Sequence, residues 1–218
     1  MTNWIAVGAF VMCVIVWPAV AEVPTDVQNA INAAFPAYLS QDFDQAATFY
    51  GFKSSDRLED VSLGTPFRFY FVSGQDLLDA GDGATVASLL PETCRWLVPL
   101  LVEGQFRALM EMNFREGEWK AVAVGMAGLA AAWRRVTDQW SEDDGYSPVL
   151  IETMNRLYFS VPGLPEDNLT RLIPFSTEGE PGLAKAMPEP VATTPAVSAI
   201  ADLKHAVDNF IEQQGGGQ

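Results

Sequence analysis

A chain of 218 residues with one histidine and two cysteines has little to build an active site from. The histidine is His205 and the cysteines are Cys13 and Cys94. A serine or cysteine nucleophile activated by histidine needs that base within hydrogen-bond reach. His205 lies close to the C-terminal end and turns away from Leu203 and Val207 on a helical wheel, which reads as a solvated helix position. A zinc site made of histidine and cysteine fails on ligand count. The sequence carries no Gly-x-Ser-x-Gly, no Ser-x-x-Lys, no phosphate-cradling Gly-x-x-x-x-Gly-Lys and no Gly-x-Gly-x-x-Gly. The sequence therefore assigns no catalytic, cofactor-binding or metal-ligating residue, and it implies no cofactor.

Carboxylates are the chemistry that remains. There are 28 acidic residues, and a pair at the right separation would suffice for glycoside hydrolysis, but spacing along a chain does not say which acids meet in space. Asp76, Asp79 and Asp82 form one cluster, and Asp138, Glu142, Asp143 and Asp144 another. Both offer the hard oxygens that calcium takes, yet neither matches the Asp-x-Asp-x-Asp-Gly loop, so solvated acidic turns are the simpler reading. Trp96, Trp119, Trp133 and Trp140 could stack on sugar rings; the helical spacing of Trp133 and Trp140 argues for core packing instead. Cys94, beside Arg95-Trp96 at the head of an apolar run, reads as a small buried hydrophobe.

Thirteen basic residues against 28 acidic ones give a net charge of −15. A surface of that sign repels phosphate, which excludes nucleic acid as a partner. The acids are not evenly placed. Residues 1–21 hold none, whereas residues 22–175 hold 22 acids and 11 bases, a net −11.

Residues 4–21 contain no charge, run apolar through Val16, break at Trp17-Pro18 and end in Ala19-Val20-Ala21, the small-x-small pattern of a signal-peptidase site. The expectation is a cleavable export leader over 1–21 and a periplasmic or secreted mature chain starting at Glu22. The membrane enters only if the leader stays attached as an anchor.

Residues 22–175 read as one α+β domain. Thr25-Asp26-Val27-Gln28 fits a capping box, and Val27, Ile31, Ala34 and Phe35 follow at helical spacing, so the domain opens with an amphipathic helix that Pro36 ends or kinks. The stretch 40–60 is mixed, with Phe43, Phe49, Tyr50 and Phe52 as anchors. Residues 65–72 are strand-like, with Phe67, Phe69 and Phe71 on one face. A turn at 79–83 precedes an antiparallel meander over 95–102, 105–114 and 118–124, in which Pro99 points to an edge position or a bulge. A second helix over 129–140 presents Leu129, Trp133, Val136 and Trp140. Residues 149–161 fit either one long strand or a short helix and a strand, and 169–175 a last short strand.

Residues 176–198 are rich in Pro, Ala and Thr and read as a flexible linker. Ile200, Leu203, Val207, Phe210 and Ile211 then draw an apolar face over a C-terminal amphipathic helix in 199–218, closed by three glycines. A helix of that length is marginal alone in water. It must dock on its own domain, on a second copy or on a protein partner. The functional expectation is an exported, non-enzymatic binding module with a protein partner held through this helix. The alternatives are a carboxylate-dependent hydrolase of envelope or extracellular polysaccharide, and an envelope structural protein tethered by its leader.

Overall fold

The computed structural model describes residues 22–40, 43–81, 84–92, 94–162 and 169–175, together with Thr194, Pro195, Ala201 and Lys204. The leader expected over 1–21 lies outside these residues, as do most of the linker 176–198, the C-terminal helix beyond Ala201 and Lys204, and His205. Among the described residues no helix is long and apolar enough to cross a membrane.

The fold is a mixed one, built on a single, mostly antiparallel sheet that helices cover on both faces. Helices α1 (Thr25–Leu39) and α2 (Phe43–Tyr50) come first, then strands β1 (Val61–Leu63) and β2 (Phe67–Phe71). Two short helices follow, α3 (Gly74–Asp79) and α4 (Val86–Leu89). The meander is β3 (Arg95–Val102), β4 (Gln105–Arg115) and β5 (Glu118–Gly125), succeeded by α5 (Ala127–Gln139). Strands β6 (Val149–Thr153), β7 (Arg156–Pro162) and β8 (Leu169–Phe175) complete the body, with a two-residue β9 at Thr194–Pro195. The order across the sheet is β5-β4-β3-β2-β6-β7-β8-β9, with β1 beside β2 on the same flank of β3. Only β2 and β6 run parallel among these pairs.

Alternation along each strand sorts the core into three parts. Trp96, Val98, Leu100, Met110 and Met112 face Val27, Ile31 and Phe43 of α1 and α2. Leu97, Leu109, Phe67 and Phe69 face the other way, onto Leu129, Trp133 and Val136 of α5. A third, smaller core joins Val72, Leu77, Val86 and Ile151 under α3 and α4. Arg68 pairs with Trp96, and Tyr70 with Ile151, which places this third core on the same sheet face as α1 and α2.

The meander and α5 match the periodicity of the sequence. Its two turns, Glu103-Gly104 and Glu116-Gly117, have positive φ at both residues, the I′ geometry that suits the twist of a hairpin. Other elements depart from expectation for local reasons. Pro24 is the N-cap of α1 and no side chain caps it; Thr25 is already helical, and the Gln28 side chain donates to Asn32 instead. Pro36 does not end α1, which runs on to Leu39 with Ser40 N–H donating to the Pro36 carbonyl. The bond that Pro36 forfeits belongs to the carbonyl of Asn32, an exposed position that water can serve.

Pro99 lies in a central strand, not at an edge. Its carbonyl accepts from Gly64 N–H, so the side lacking an N–H faces the break between β1 and β2, where no ladder bond is lost. The β3–β4 register also shifts beside it, between Leu100 and Leu101. Within 149–161 the strand of the second alternative, from Arg156 to Val161, is present as β7, but Val149–Thr153 before it is a strand and not a short helix, so the two form a hairpin turned at Met154-Asn155, both with positive φ. The turn expected at 79–83 lies partly outside the described residues, at Asp82 and Gly83, and on either side of it stand two helices, α3 and α4, that the sequence pattern does not announce. Ser73 and Asp76 cap one and Thr85 and Ser88 the other, each pair reciprocally. Within the expected linker, Thr194–Pro195 pairs with Leu169–Thr170 of β8.

Candidate functional site

Helix α1 has two faces. Val27, Ile31 and Leu39 are buried against the sheet, while Ala30, Ala33, Ala34 and Ala37 recur at helical spacing along the adjoining flank. Because alanine reaches only one carbon from the backbone, that flank leaves space between the helix and the end of the sheet. The result is an open groove of about 1100 Å3 with Trp119, Lys120 and Ala121 of β5 and Phe114 of β4 on its opposite wall. Tyr38 and Tyr50 line it as well, and Tyr38 and Phe114 are exposed.

The wall is held in place by specific contacts. Trp119 Nε1 donates to Asp26 Oδ2 at 3.1 Å, tying β5 to the first turn of α1. Phe114 meets Trp119 edge-to-face at 5.4 Å. Lys120 is held by Glu116 at 2.8 Å and Glu118 at 2.9 Å, and these hydrogen bonds raise its pKa, Glu116 first. Three carboxylates, Asp26, Glu116 and Glu118, stand against the single cation of Lys120, which leaves the rim acidic.

Strand β5 ends the sheet on this side, and among the described residues no strand pairs with its outer edge. In a two-residue hairpin the residues flanking the turn, Arg115 and Glu118, point their backbone groups at each other. The next residue, Trp119, therefore turns its N–H and C=O outward, and the groove lies beside a row of backbone groups open to a further strand.

Among the described residues, a second, smaller recess holds a carboxylate arrangement that resembles acid chemistry. It encloses about 240 Å3 and is lined by Thr65, Phe67, Phe106, Trp133, Thr137, Ser141, Glu142 and Asp143. Phe67 and Trp133 stack at 3.6 Å beneath it. Desolvation, aided by the charge of Asp143, raises the pKa of Glu142. A raised carboxyl pKa beside a second carboxyl is the direction a general acid requires. The volume decides against it as a main site, because ligand pockets usually span roughly 300–1,000 Å3, and both carboxyl residues are exposed.

Apart from Glu142 and Asp143, the described members of the two acidic clusters are held by separate local partners. Asp76 accepts from Ser73 as a helix cap and Asp79 from Gln75. Asp138 pairs with Arg134, and Asp144 accepts from Ser141. Asp82 lies outside the described residues. The four tryptophans are likewise dispersed: Trp96, Trp133 and Trp140 are core residues, and Trp119 alone lines the groove. Cys94 is half-buried against the α1–α2 core, and burial pushes its thiol up, with nearby Arg68 opposing. That direction lowers the thiolate fraction and hence its nucleophilicity. Arg68 donates to the Tyr70 hydroxyl at 3.1 Å and lies over the Trp96 ring, so this polar group is spent on internal contacts.

Trp119 is one of the four tryptophans the sequence singles out as a stacking candidate, but neither the alanine flank of α1 nor its place opposite Trp119 is named by any local signal. The Ala-x-x-Ala spacing after Ala30 was visible, but not what stood opposite it. Comparison of the chain with protein-family models, with curated proteins and with solved structures finds no match.

Proposed function

We propose that this chain is an exported, non-enzymatic binding module that holds an extended segment of another protein in the groove between α1 and β5. The observation that carries the reading is the groove itself: about 1100 Å3, walled by Trp119 and Phe114, floored by alanines and running beside an unpaired strand edge. An extended chain added to β5 would satisfy the outward backbone groups of Trp119 and send alternate side chains toward the groove. Its apolar side chains suit the aromatic wall, and basic ones suit Asp26 and Glu118 at the rim. The chain's acidity, −15 overall, steers a basic segment toward it.

The test is a screen of peptides against the purified protein, with and without Ala33→Arg, which fills the groove from an exposed helix position. Extended peptides with basic and aromatic residues should bind the native protein and lose at least tenfold in affinity to the variant. Binding that ignores Ala33→Arg would move the site elsewhere. No binding by such peptides, even with β5 left open, would count against the module as proposed.

The carboxylate-hydrolase reading retains one supporting observation, the raised pKa of Glu142 at an aromatic-floored recess. Polysaccharide turnover that disappears in Glu142→Gln would favour it. Export rests on the leader-like residues 1–21, and the mass of the native N-terminus tests it: a chain beginning at Met1 would favour the tethered structural protein instead.

A further inference from the structure

The two edges of the sheet are finished differently. At β8 pairing continues, with Leu169 and Thr170 against Pro195 and Thr194 of β9, and farther along the same strand Pro174 has no N–H to offer. Among the described residues β5 carries neither device. Its free stretch is short, however. The turn at Glu116-Gly117 closes it on one side. On the other the β4–β5 register slips: Met112 pairs with Ala121 and Glu111 with Ala123, so Val122 is an extra residue that bends the strand. Between turn and bulge the backbone alternates, so Trp119 and Ala121 turn their N–H and C=O groups outward while Lys120 turns its own toward Asn113.

That length selects a direction. An antiparallel segment meets every outward group of Trp119 and Ala121 with only the residues opposite Ala121, Lys120 and Trp119. A parallel segment must extend from Glu118 to Val122 to do the same, and so runs into the bulge. Alternation also fixes where the partner's side chains go. Trp119 and Ala121 pack against the α1–α2 core, while Lys120 pairs with Glu118 on the other face. Residues directly opposite one another share a face. The partner's residues opposite Ala121 and Trp119 therefore enter the groove, and the one between them leaves it. The two places differ in room. Ala121 contributes a single carbon, and the α1 flank across the groove is alanine. Trp119 fills its own place with an indole that reaches Asp26. The side chain between them meets Lys120 and the mostly exposed Glu116 and Glu118, where ion pairs are worth little.

We propose that the groove takes a peptide segment antiparallel to β5 and reads it by size, seating a large apolar or aromatic side chain opposite Ala121 and, two residues later, a small one opposite Trp119. Ala121 is the specificity-determining residue of the site, and the Trp119 indole is what keeps the second position small. Direction and preference both rest on the groove being where the partner binds.

The experiment measures binding of labelled, acetylated peptides of about six residues, the length of an ordinary strand, by fluorescence anisotropy on the full chain. Each carries Phe-Lys-Ala, or the reverse order Ala-Lys-Phe, in a background of threonine and lysine. Phe-Lys-Ala should bind about tenfold more tightly than the reverse, the scale of seating or exposing one phenyl ring. Methylating the backbone nitrogen of its Phe or its Ala should cost about tenfold as well, through the lost ladder bond, and methylating that of the Lys between them should cost little. Ala121→Leu, with an unchanged far-UV circular dichroism spectrum, should abolish the preference for Phe-Lys-Ala. The methylated series needs no variant, so it decides the matter even if Ala121→Leu fails to fold. Equal binding of the two orders would overturn the proposal. So would a preference for Ala-Lys-Phe with the sensitivity at the Lys nitrogen, which means a parallel partner. If Ala33→Arg still abolishes binding in either case, the groove stands as the site and only the direction and size preference fall. Failure of every peptide to bind the native protein removes the groove reading and this proposal together.

Discussion

Helices α1 and α5 have similar lengths, 15 and 13 residues, and each lies across one face of the same sheet. They use that position differently. Helix α5 buries Leu129, Ala130, Ala132, Trp133 and Val136, and Trp133 stacks flat on Phe67. Helix α1 buries Val27, Ile31 and Leu39 but leaves Ala33, Ala37 and Tyr38 exposed beside a groove. The same helical periodicity thus specifies a closed interface in one case and an open one in the other. The difference lies in side-chain size: a bulky apolar face fills the space above a sheet, while an alanine flank leaves it for something else.

If that contrast holds, the two helices should respond oppositely to substitution. The largest effect is expected on the closed side. Trp133 is 4% exposed and touches Phe67 and Phe159, so Trp133→Ala should cost about 3–5 kcal/mol in transfer and cavity terms. Urea unfolding followed by far-UV circular dichroism measures it, and a cost below 1 kcal/mol would show that α5 is not the closed interface described.

The next effect is expected at the pair that braces the other helical layer. Asp56 accepts from Arg107 Nε at 2.9 Å and from Lys53 N–H, with both charged side chains largely buried. Asp56→Ala leaves the Arg107 guanidinium unpaired, which costs about 3 kcal/mol. The double variant Asp56→Ala/Arg107→Met should recover much of that loss, since it removes the stranded charge as well.

What the sequence disclosed follows the range of the interactions concerned. The β3–β5 meander and α5 were legible because turn chemistry at Glu103-Gly104 and Glu116-Gly117 and the step from Leu129 to Trp133 to Val136 are local signals. Helices α3 and α4 were not, being too short to show a period, although Ser73-x-x-Asp76 carried the cap. The Met154-Asn155 turn lacks the glycine that would have announced it, and Pro99 is tolerated only because β1 and β2 part opposite it. The groove was the least legible feature. Its bond from Trp119 to Asp26 joins positions 93 residues apart, and nothing in either neighbourhood names the other.

On the open side, the contrast predicts a small stability change with a large functional one. Ala33→Arg substitutes one strong helix former for another at an exposed position, so stability should shift by less than about 0.5 kcal/mol. A loss above 2 kcal/mol would mean that the alanine flank is packed in the folded protein, and the distinction between the two helices would fail.

The smallest effect tests the recess beside α5 and has a definite sign with pH. The pKa of Glu142 is raised in the folded protein, first by desolvation and then by the charge of Asp143. A carboxyl with a raised folded pKa binds its proton more tightly folded than unfolded. Its ionised form therefore opposes folding, and the cost is present in full above the folded pKa. As pH falls through that value the carboxyl takes up its proton and the cost fades, vanishing below the unfolded pKa, where both states are protonated. Glu142→Gln should accordingly be slightly more stable than the native protein at neutral pH, by under about 0.5 kcal/mol for so exposed a residue. Melting temperatures of the two proteins should converge as the pH drops through the carboxylate range. A difference that persists unchanged at low pH would trace the effect to packing against Trp133 and Phe106 and not to charge. A native protein more stable than Glu142→Gln at neutral pH would instead mean that the carboxylate is held by a favourable partner, and the recess would lose its one acid-like feature.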